Sequence, residues 1–471
     1  MAVNASRYAN QSALICCDRT LSWQQLDKEV EQLAGQLVGC TDGKQQQVIG
    51  LLFANGWQFV VTYLAILRLG HIALPLDPTY KPLELDAIID QVSPAFVVTN
   101  QDYRSKINRG PIFKLEELAL LKTTTFNPLR LDPEKQIASL TFTSGTTGQP
   151  KLAPYTHANH VWNIVVCSKV WQWTHKDNLL ISLPLSHWYG LVMGLTGALY
   201  HGNSLYLDEW FDAEQTIKVL SSGKVSIFTH FPLVYAQMLE ISQTKKQDLS
   251  KTRVLISGGA PLPPALNQRF KERFGNEILE CYGSSESGRI AANSSDNHQS
   301  GSPGLILPGV KLKLSEEGEV LIKSKGVFPG YYQNPGATAA RFTGDGWLRT
   351  GDLARLDGQR LFLRGRMQEK IRRFGYSLSP RDIEWAMYQF PKIKSIHVMG
   401  RQRSDQPNDE LFYFIDTAAS EAEIREYCKA NLPYAWRPDT VVLLDSLPKT
   451  RSGKVRLTAL EDILKERLLA V

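Results

Sequence analysis

Between residues 143 and 151 the chain reads Thr143-Ser144-Gly145-Thr146-Thr147-Gly148-Gln149-Pro150-Lys151, hydroxyls and glycines in one run closed by a lysine. Glycines let backbone N–H groups turn inward as a nest, hydroxyls add donors, and the lysine adds charge. Such a run suits a polyanion, and a triphosphate above all. It is not a Walker A loop, because Gln149-Pro150 separates Gly148 from Lys151. The apolar approach Ile137–Leu140 reads as a buried strand leading into it.

Five further blocks carry side chains of chemical interest. Leu183-Pro184-Leu185-Ser186-His187-Trp188-Tyr189-Gly190 is a bracketed turn after an apolar run, where functional residues often sit. Taken alone, His187 reads first as a satisfied core histidine. Ser257-Gly258-Gly259-Ala260-Pro261 follows a strand and allows backbone to approach a flat ring closely. Tyr282-Gly283-Ser284-Ser285-Glu286 offers an aromatic face, a hydroxyl and a hard oxygen ligand suited to Mg²⁺. Thr350-Gly351-Asp352 projects a carboxylate from a tight turn, able to accept two hydroxyls at once. Pro448-Lys449-Thr450-Arg451-Ser452-Gly453-Lys454 is, on composition, a basic turn.

The blocks, in this order, resemble those of the adenylate-forming superfamily: acyl- and aryl-CoA synthetases, free-standing adenylation domains and firefly-type luciferases. The resemblance runs from the Leu21-Ser22-Trp23 region to Lys454. It implies that Thr143, Ser144, Gly145, Thr146, Thr147, Gly148 and Lys151 form the phosphate loop. Gly258, Gly259, Ala260 and Pro261 would cover one adenine face and Tyr282, with Gly283, the other, while Ser285 reaches the α-phosphate. Asp352 would take the ribose, with Arg366 as a second nucleotide contact, and Glu286 with Thr143 would hold Mg²⁺. Lys454 would be the catalytic lysine, working with Glu286, Lys151 and His187. His187 stands in the motif that lines the carboxylate pocket of the synthetase branch, and Trp188, Tyr189, Phe231 and Ser257 are the accompanying substrate-side candidates. The Phe-Asp-x-Ser context of amino-acid adenylation domains is absent there.

Three positions depart from the pattern. Leu152 replaces the glycine that usually follows the loop lysine. Gln368 stands where a pivot Asp or Lys is usual, and Arg372 where a Lys is usual. The spacing on to Gly375 is kept, so the fold is expected unchanged, and the resemblance implies Gln368 as the hinge position.

These residues need a scaffold. Apolar runs Ala13–Ile15, Val48–Phe53, Ile72–Leu76, Phe96–Thr99, Asn178–Ser182 and Val225–Phe228 alternate with helical stretches, one capped by Ser22 with apolar Leu26, Val30, Leu33 and Leu37 at helical spacing and one at Trp57–Leu69. That alternation predicts an α/β fold of mainly parallel sheets with flanking helices. After about residue 300 short alternating strands (Val310–Leu314, Glu319–Lys323, Arg360–Leu363) predict a small barrel-like subdomain. A small α+β lid is expected beyond, giving domains 1–366 and 367–471.

With 471 residues, 43% hydrophobic and 21% charged, the chain has the composition of a globular protein. A net charge of +6 spread thinly, without basic–aromatic clusters, argues against a nucleic-acid partner. The N-terminus lacks an apolar signal region and Trp57–Leu69 is too short to span a bilayer. The six cysteines show no zinc spacing and are expected to be reduced and mostly buried, as in the cytoplasm.

The expected reaction is ATP-dependent activation of an acyl or aryl carboxylate, then transfer to the thiol of CoA or of a carrier protein's phosphopantetheine supplied in trans. A free-standing amino-acid adenylation enzyme is the alternative. Intact Lys151, Glu286, Asp352 and Lys454 argue against a non-catalytic member.

Overall fold

The computed structural model describes residues 1–41, 45–126, 132–143, 151–241, 247–374, 376–402, 408–449 and 455–469. Its elements begin where local chemistry starts them. The Ser22 hydroxyl accepts from the Gln25 N–H while the Gln25 side chain accepts from the Ser22 N–H, a reciprocal cap on the helix Trp23–Leu37. Leu26, Val30, Leu33 and Leu37 fall on one face of it and are buried. That helix packs against Trp57–Arg68, which is buried nearly all round from Phe59 to Ile66.

Two sheets carry the chain up to Arg366. The smaller has six strands in the order Ile112–Lys114, Phe96–Thr99, Val48–Leu52, Ile72–Leu76, Ile137–Thr143, Lys151–Thr156. All neighbours in it are parallel except the last pair, an antiparallel hairpin. Burial on both faces explains why its strands are continuous apolar runs rather than alternating ones. The larger sheet has 13 strands among the described residues. From an antiparallel edge strand Thr20–Ser22, its parallel half runs Ser12–Ile15, Ser204–Leu207, Asn178–Ile181, Ile227–His230, Val254–Ser257, Ile278–Ser284. At Ile278–Ser284 the pairing turns antiparallel, and Gly288–Ala292, Gly304–Ile306, Arg360–Arg366, Leu348–Asp357, Glu319–Lys323 and Lys311–Leu314 follow. The short alternating strands read from the sequence therefore continue the parallel sheet through one shared strand.

Beyond residue 370, Ile393–Arg401, Glu410–Thr417 and Thr440–Leu444 form a separate three-stranded sheet. Helices Pro380–Met387, Glu421–Asn431 and Leu457–Leu469 accompany it, around apolar clusters of their own. One buried ion pair reaches back to the large sheet, Arg381 to Glu280 at 3.6 Å.

Two expectations need adjustment. The strand read at 225–228 runs Ile227–His230, because its far end still pairs with Val254–Ser257. All six cysteines are free; Cys167, Cys281 and Cys428 are buried, but Cys17 is exposed and Cys16 and Cys40 are half-buried. Among the described residues no helix is long and apolar enough to cross a membrane.

Candidate active site

The hairpin Ile137–Thr143/Lys151–Thr156 places Thr143 directly opposite Lys151, and the Thr143 hydroxyl donates to the Lys151 carbonyl at 3.3 Å. Ser144, Gly145, Thr146, Thr147 and Gly148 lie outside the described residues. The Lys151 ammonium stands 5.2 Å over the ring of Tyr331, and the Tyr331 hydroxyl donates to Glu286 Oε1 at 2.9 Å. The other carboxylate oxygen accepts from Ser284 Oγ at 3.0 Å, and Arg341 stands 3.9 Å from Oε1. Glu286 itself occupies the tight turn joining Ile278–Ser284 to Gly288–Ala292. Glycine is required on both sides of that turn. A Cβ on Gly283 would lie 2.2 Å from the Gly288 carbonyl, and Gly288 holds φ +63° with no room beside Asn163.

The donor set at Glu286 fits a hard cation. It is a buried carboxylate beside a hydroxyl-bearing strand end, with no cluster of three or more His, Cys, Asp or Glu among the described residues. Mg²⁺ typically binds through one or two carboxylates, its remaining ligands being water and substrate phosphate oxygens. Glu286 and Thr143 are the residues that would hold it.

A second cluster forms on the antiparallel half. Asp352 and Arg366 face each other across their strand pair, with Arg366 Nε 3.2 Å from Asp352 Oδ1. The Tyr282 hydroxyl donates to Asp352 Oδ2 at 2.6 Å. Asp352 raises the Arg366 pKa further, against the opposing effect of burial. Ser285 is half-buried next to Glu286. In the Gly258–Pro261 loop, Gly259 adopts φ +78°, and a Cβ there would sit 2.7 Å from the Phe231 ring.

The third group lies around His187. Its Nε2 is 3.3 Å from Asp77 Oδ2, and Asp77 Oδ1 accepts from the Thr79 N–H at 2.9 Å. Burial pushes the Asp77 carboxyl up, but the His187 and Thr79 hydrogen bonds outweigh it and leave its pKa below the ordinary value. Trp188 and Tyr189 are buried; Tyr189 meets Phe231 edge to face at 5.8 Å and its hydroxyl bonds Thr229 Oγ1 at 2.6 Å. Ser257 is fully buried at the end of its strand, its hydroxyl without a partner among the described residues.

The structure thus draws Thr143, Lys151 and Glu286 to one place, Tyr282, Asp352 and Arg366 to another, and Tyr189, Phe231 and the Gly258-Gly259 turn to a third, with His187 beside Asp77. Lys454 lies outside the described residues; the bridge Lys449–Val455 flanks the 450–454 segment. Gln368 occupies the short 3-10 turn Met367–Glu369 between Arg360–Arg366 and Ile371–Arg373. Sequence reading missed four partners: Asp77, Tyr331, Arg341 and Arg289. Asp77 had a signal, a carboxylate immediately after the buried run Ile72–Leu76. So did Arg289, a lone charge inside the apolar strand Gly288–Ala292.

A model of the AMP-binding enzyme family matches residues 1–332, and one of the AMP-binding enzyme C-terminal domain matches residues 382–454. The 2-succinylbenzoate–CoA ligase of Listeria monocytogenes is 28% identical over 464 residues, covering 96% of each chain. The mitochondrial malonate–CoA ligase of Mus musculus is 28% identical, over 89% of this chain and 82% of its own. Among solved structures, ATP-bound MatB from Rhodopseudomonas palustris shares the fold with a TM-score of 0.90 at 23% identity, over 98% of both chains. The anthranilate CoA ligase AuaEII in complex with anthranoyl-AMP gives 0.90 at 25% identity, over 98% of this chain and 96% of that one. With a family model spanning well over half of its length, the chain belongs to the AMP-binding enzyme family, the adenylate-forming superfamily that its motifs resemble.

Proposed function

We propose that this protein is an AMP-forming acid–thiol ligase that activates a carboxylic acid with ATP and passes the acyl group to CoA. The observation that carries the reading is the convergence of Lys151, Tyr331, Glu286 and Arg341 at the base of the 143–151 hairpin. Four chain segments bring opposite charges together there, beside hydroxyl and backbone donors. Relatives along nearly the whole chain are named CoA ligases, and their named acids differ.

A carboxylate oxygen of the acid attacks the α-phosphorus of ATP, the bond to the β-phosphate oxygen breaks, and pyrophosphate leaves. The acyl-AMP is a mixed anhydride. The thiol sulfur of CoA then attacks its carbonyl carbon, releasing AMP and the thioester. The obstacle in the first step is electrostatic, since two anions meet and charge grows on the leaving phosphates. Lys151 and the loop ahead of it oppose that charge, and Lys454 bridges acid and α-phosphate to hold them in line. Mg²⁺ held at Glu286 and Thr143 would supply further neutralisation of the phosphate oxygens. Asp352 accepts the ribose hydroxyls, Arg366 steadies it, and Tyr282 with the Gly258–Pro261 loop takes the adenine. His187, oriented by Asp77, lines the acid site with Trp188, Tyr189, Phe231 and Ser257.

The unit from residue 367 onward acts as a lid pivoting at Gln368, closing over the adenylation step and turning for the thiol step. A cytoplasmic setting fits, since ATP and CoA are supplied there. Pyrophosphate release with ATP, Mg²⁺ and a panel of acids including amino acids tests the reading. Acid-dependent release is expected, and its absence for every acid would defeat the ligase. Release with amino acids alone would favour the adenylation enzyme instead. Offering the adenylate CoA or a phosphopantetheinylated carrier protein then decides the acceptor.

A further inference from the structure

Arg289 is buried on every side, with 2% of its surface exposed, at the second position of the strand Gly288–Ala292. Its backbone N–H donates to Asn163 Oδ1 at 2.7 Å, so the side chain's origin is fixed. The guanidinium lies 4.3 Å over the Tyr189 ring and 5.4 Å from that of Trp188. Nη1 donates to Cys281 Sγ at 3.2 Å, while Nε and Nη2 have no hydrogen-bond partner among the described residues.

No carboxylate among the described residues stands within ion-pair distance of it. The thiol and phenol beside it do not substitute. Burial pushes Cys281 and Tyr189 up despite the opposing pull of the arginine, so both are neutral near pH 7. An arginine does not escape by losing its proton. A buried cation of this kind is strongly unfavourable unless an anion completes it.

The same group borders the acid compartment. A Cβ on Gly258 would meet the Tyr189 hydroxyl at 2.9 Å, Cys281 Sγ at 2.9 Å and Arg289 Nη1 at 3.1 Å, and one on Gly259 would meet Phe231. The guanidinium therefore shares its walls with the residues assigned to the acid. It follows Glu286 by three residues, which limits their Cα separation to about 10 Å. An acid lying between the rings can thus place one carboxylate toward the nucleotide and a second group toward Arg289.

Resting on the ligase reading, we infer that Arg289 recognises a second carboxylate, so the substrate is a small dicarboxylic acid. The guanidinium fork matches a carboxylate with two parallel N–H donors, and Nε with Nη2 is such a pair.

The test measures kcat/KM for pyrophosphate release with matched acids: succinate against butyrate, glutarate against valerate, isophthalate against 3-methylbenzoate. Wild-type enzyme is expected to prefer a dicarboxylate by about a hundredfold over its matched monocarboxylate. Arg289→Met should abolish that preference, chiefly through KM of the dicarboxylate, and Arg289→Lys should restore part of it. Equal or better use of monocarboxylates by the wild type overturns the inference and leaves the ligase standing. An unchanged ratio in Arg289→Met also overturns it. Should that variant fail to fold, the wild-type ratio decides alone. Release with none of the acids defeats the ligase reading and this inference with it.

Discussion

Asp352 and Arg289 are both buried charges on the antiparallel half of one sheet, and their surroundings differ. Each oxygen of Asp352 has a partner, Arg366 for one and the Tyr282 hydroxyl for the other. Glu286 is similarly engaged, through Tyr331 and Ser284. Arg289 has aromatic faces and a neutral thiol around it and two nitrogens without a hydrogen-bond partner among the described residues. Another buried arginine, Arg381, at least faces Glu280. In the function proposed here, the nucleotide end is wired so that its side chains are oriented in advance of the ligand, which suits a partner that never changes. The acid end leaves one charge to be completed by the substrate, which is how a pocket rejects acids lacking the complementary group.

This difference predicts that lesions at the nucleotide end act on every acid alike. Lys454→Ala should have the largest effect, cutting pyrophosphate release by about a thousandfold with all acids, in line with loss of a charge-stabilising group. Nucleotide binding and melting temperature should be nearly unchanged, and supplied acyl-AMP should still be converted to thioester. A mutant close to wild type in pyrophosphate release would remove Lys454 from the mechanism.

Glu286→Gln comes next, with about a hundredfold loss and a higher Mg²⁺ concentration needed for half-maximal rate. The Mg²⁺ titration is the check, and an unmoved midpoint would place the metal elsewhere. Asp352→Asn should raise KM for ATP by about tenfold, equally for each acid, since one charged hydrogen-bond partner of the ribose is lost. An acid-dependent change here would erase the contrast between the two ends.

The smallest effect is expected at Asp77, which supports His187 from behind. Its folded-state pKa lies below the ordinary value, so its stabilisation is present above about pH 3.9 and lost as pH falls through the folded value. Asp77→Asn should therefore cost about 1 kcal/mol near neutral pH. Melting temperatures from pH 3 to 8 check this, because the gap from wild type should close only at the acid end.

Much of the site is legible in the amino-acid sequence, and the reason is contiguity. The hairpin loop, the Gly258–Pro261 turn and the Tyr282–Glu286 segment each carry their donors and glycines within a few residues, so type and spacing expose them. The cap at Ser22 and Gln25 is local in the same way, as are the apolar runs that became strands. What the sequence determined by itself is this set of elements and short motifs, because each depends on interactions a few residues apart.

Only tertiary structure decided the pairings between them. Asp77 meets His187 from 110 residues away, and Tyr331 meets Glu286 from 45. Whether the charge on Arg289 would find a carboxylate depended on which strands became neighbours and which faces they turned inward. Strand order and facing arise from the packing of the whole sheet, where a one-residue change of register turns a side chain from solvent to core. No window of sequence contains that information, and a guanidinium with no carboxylate partner among the described residues is its consequence.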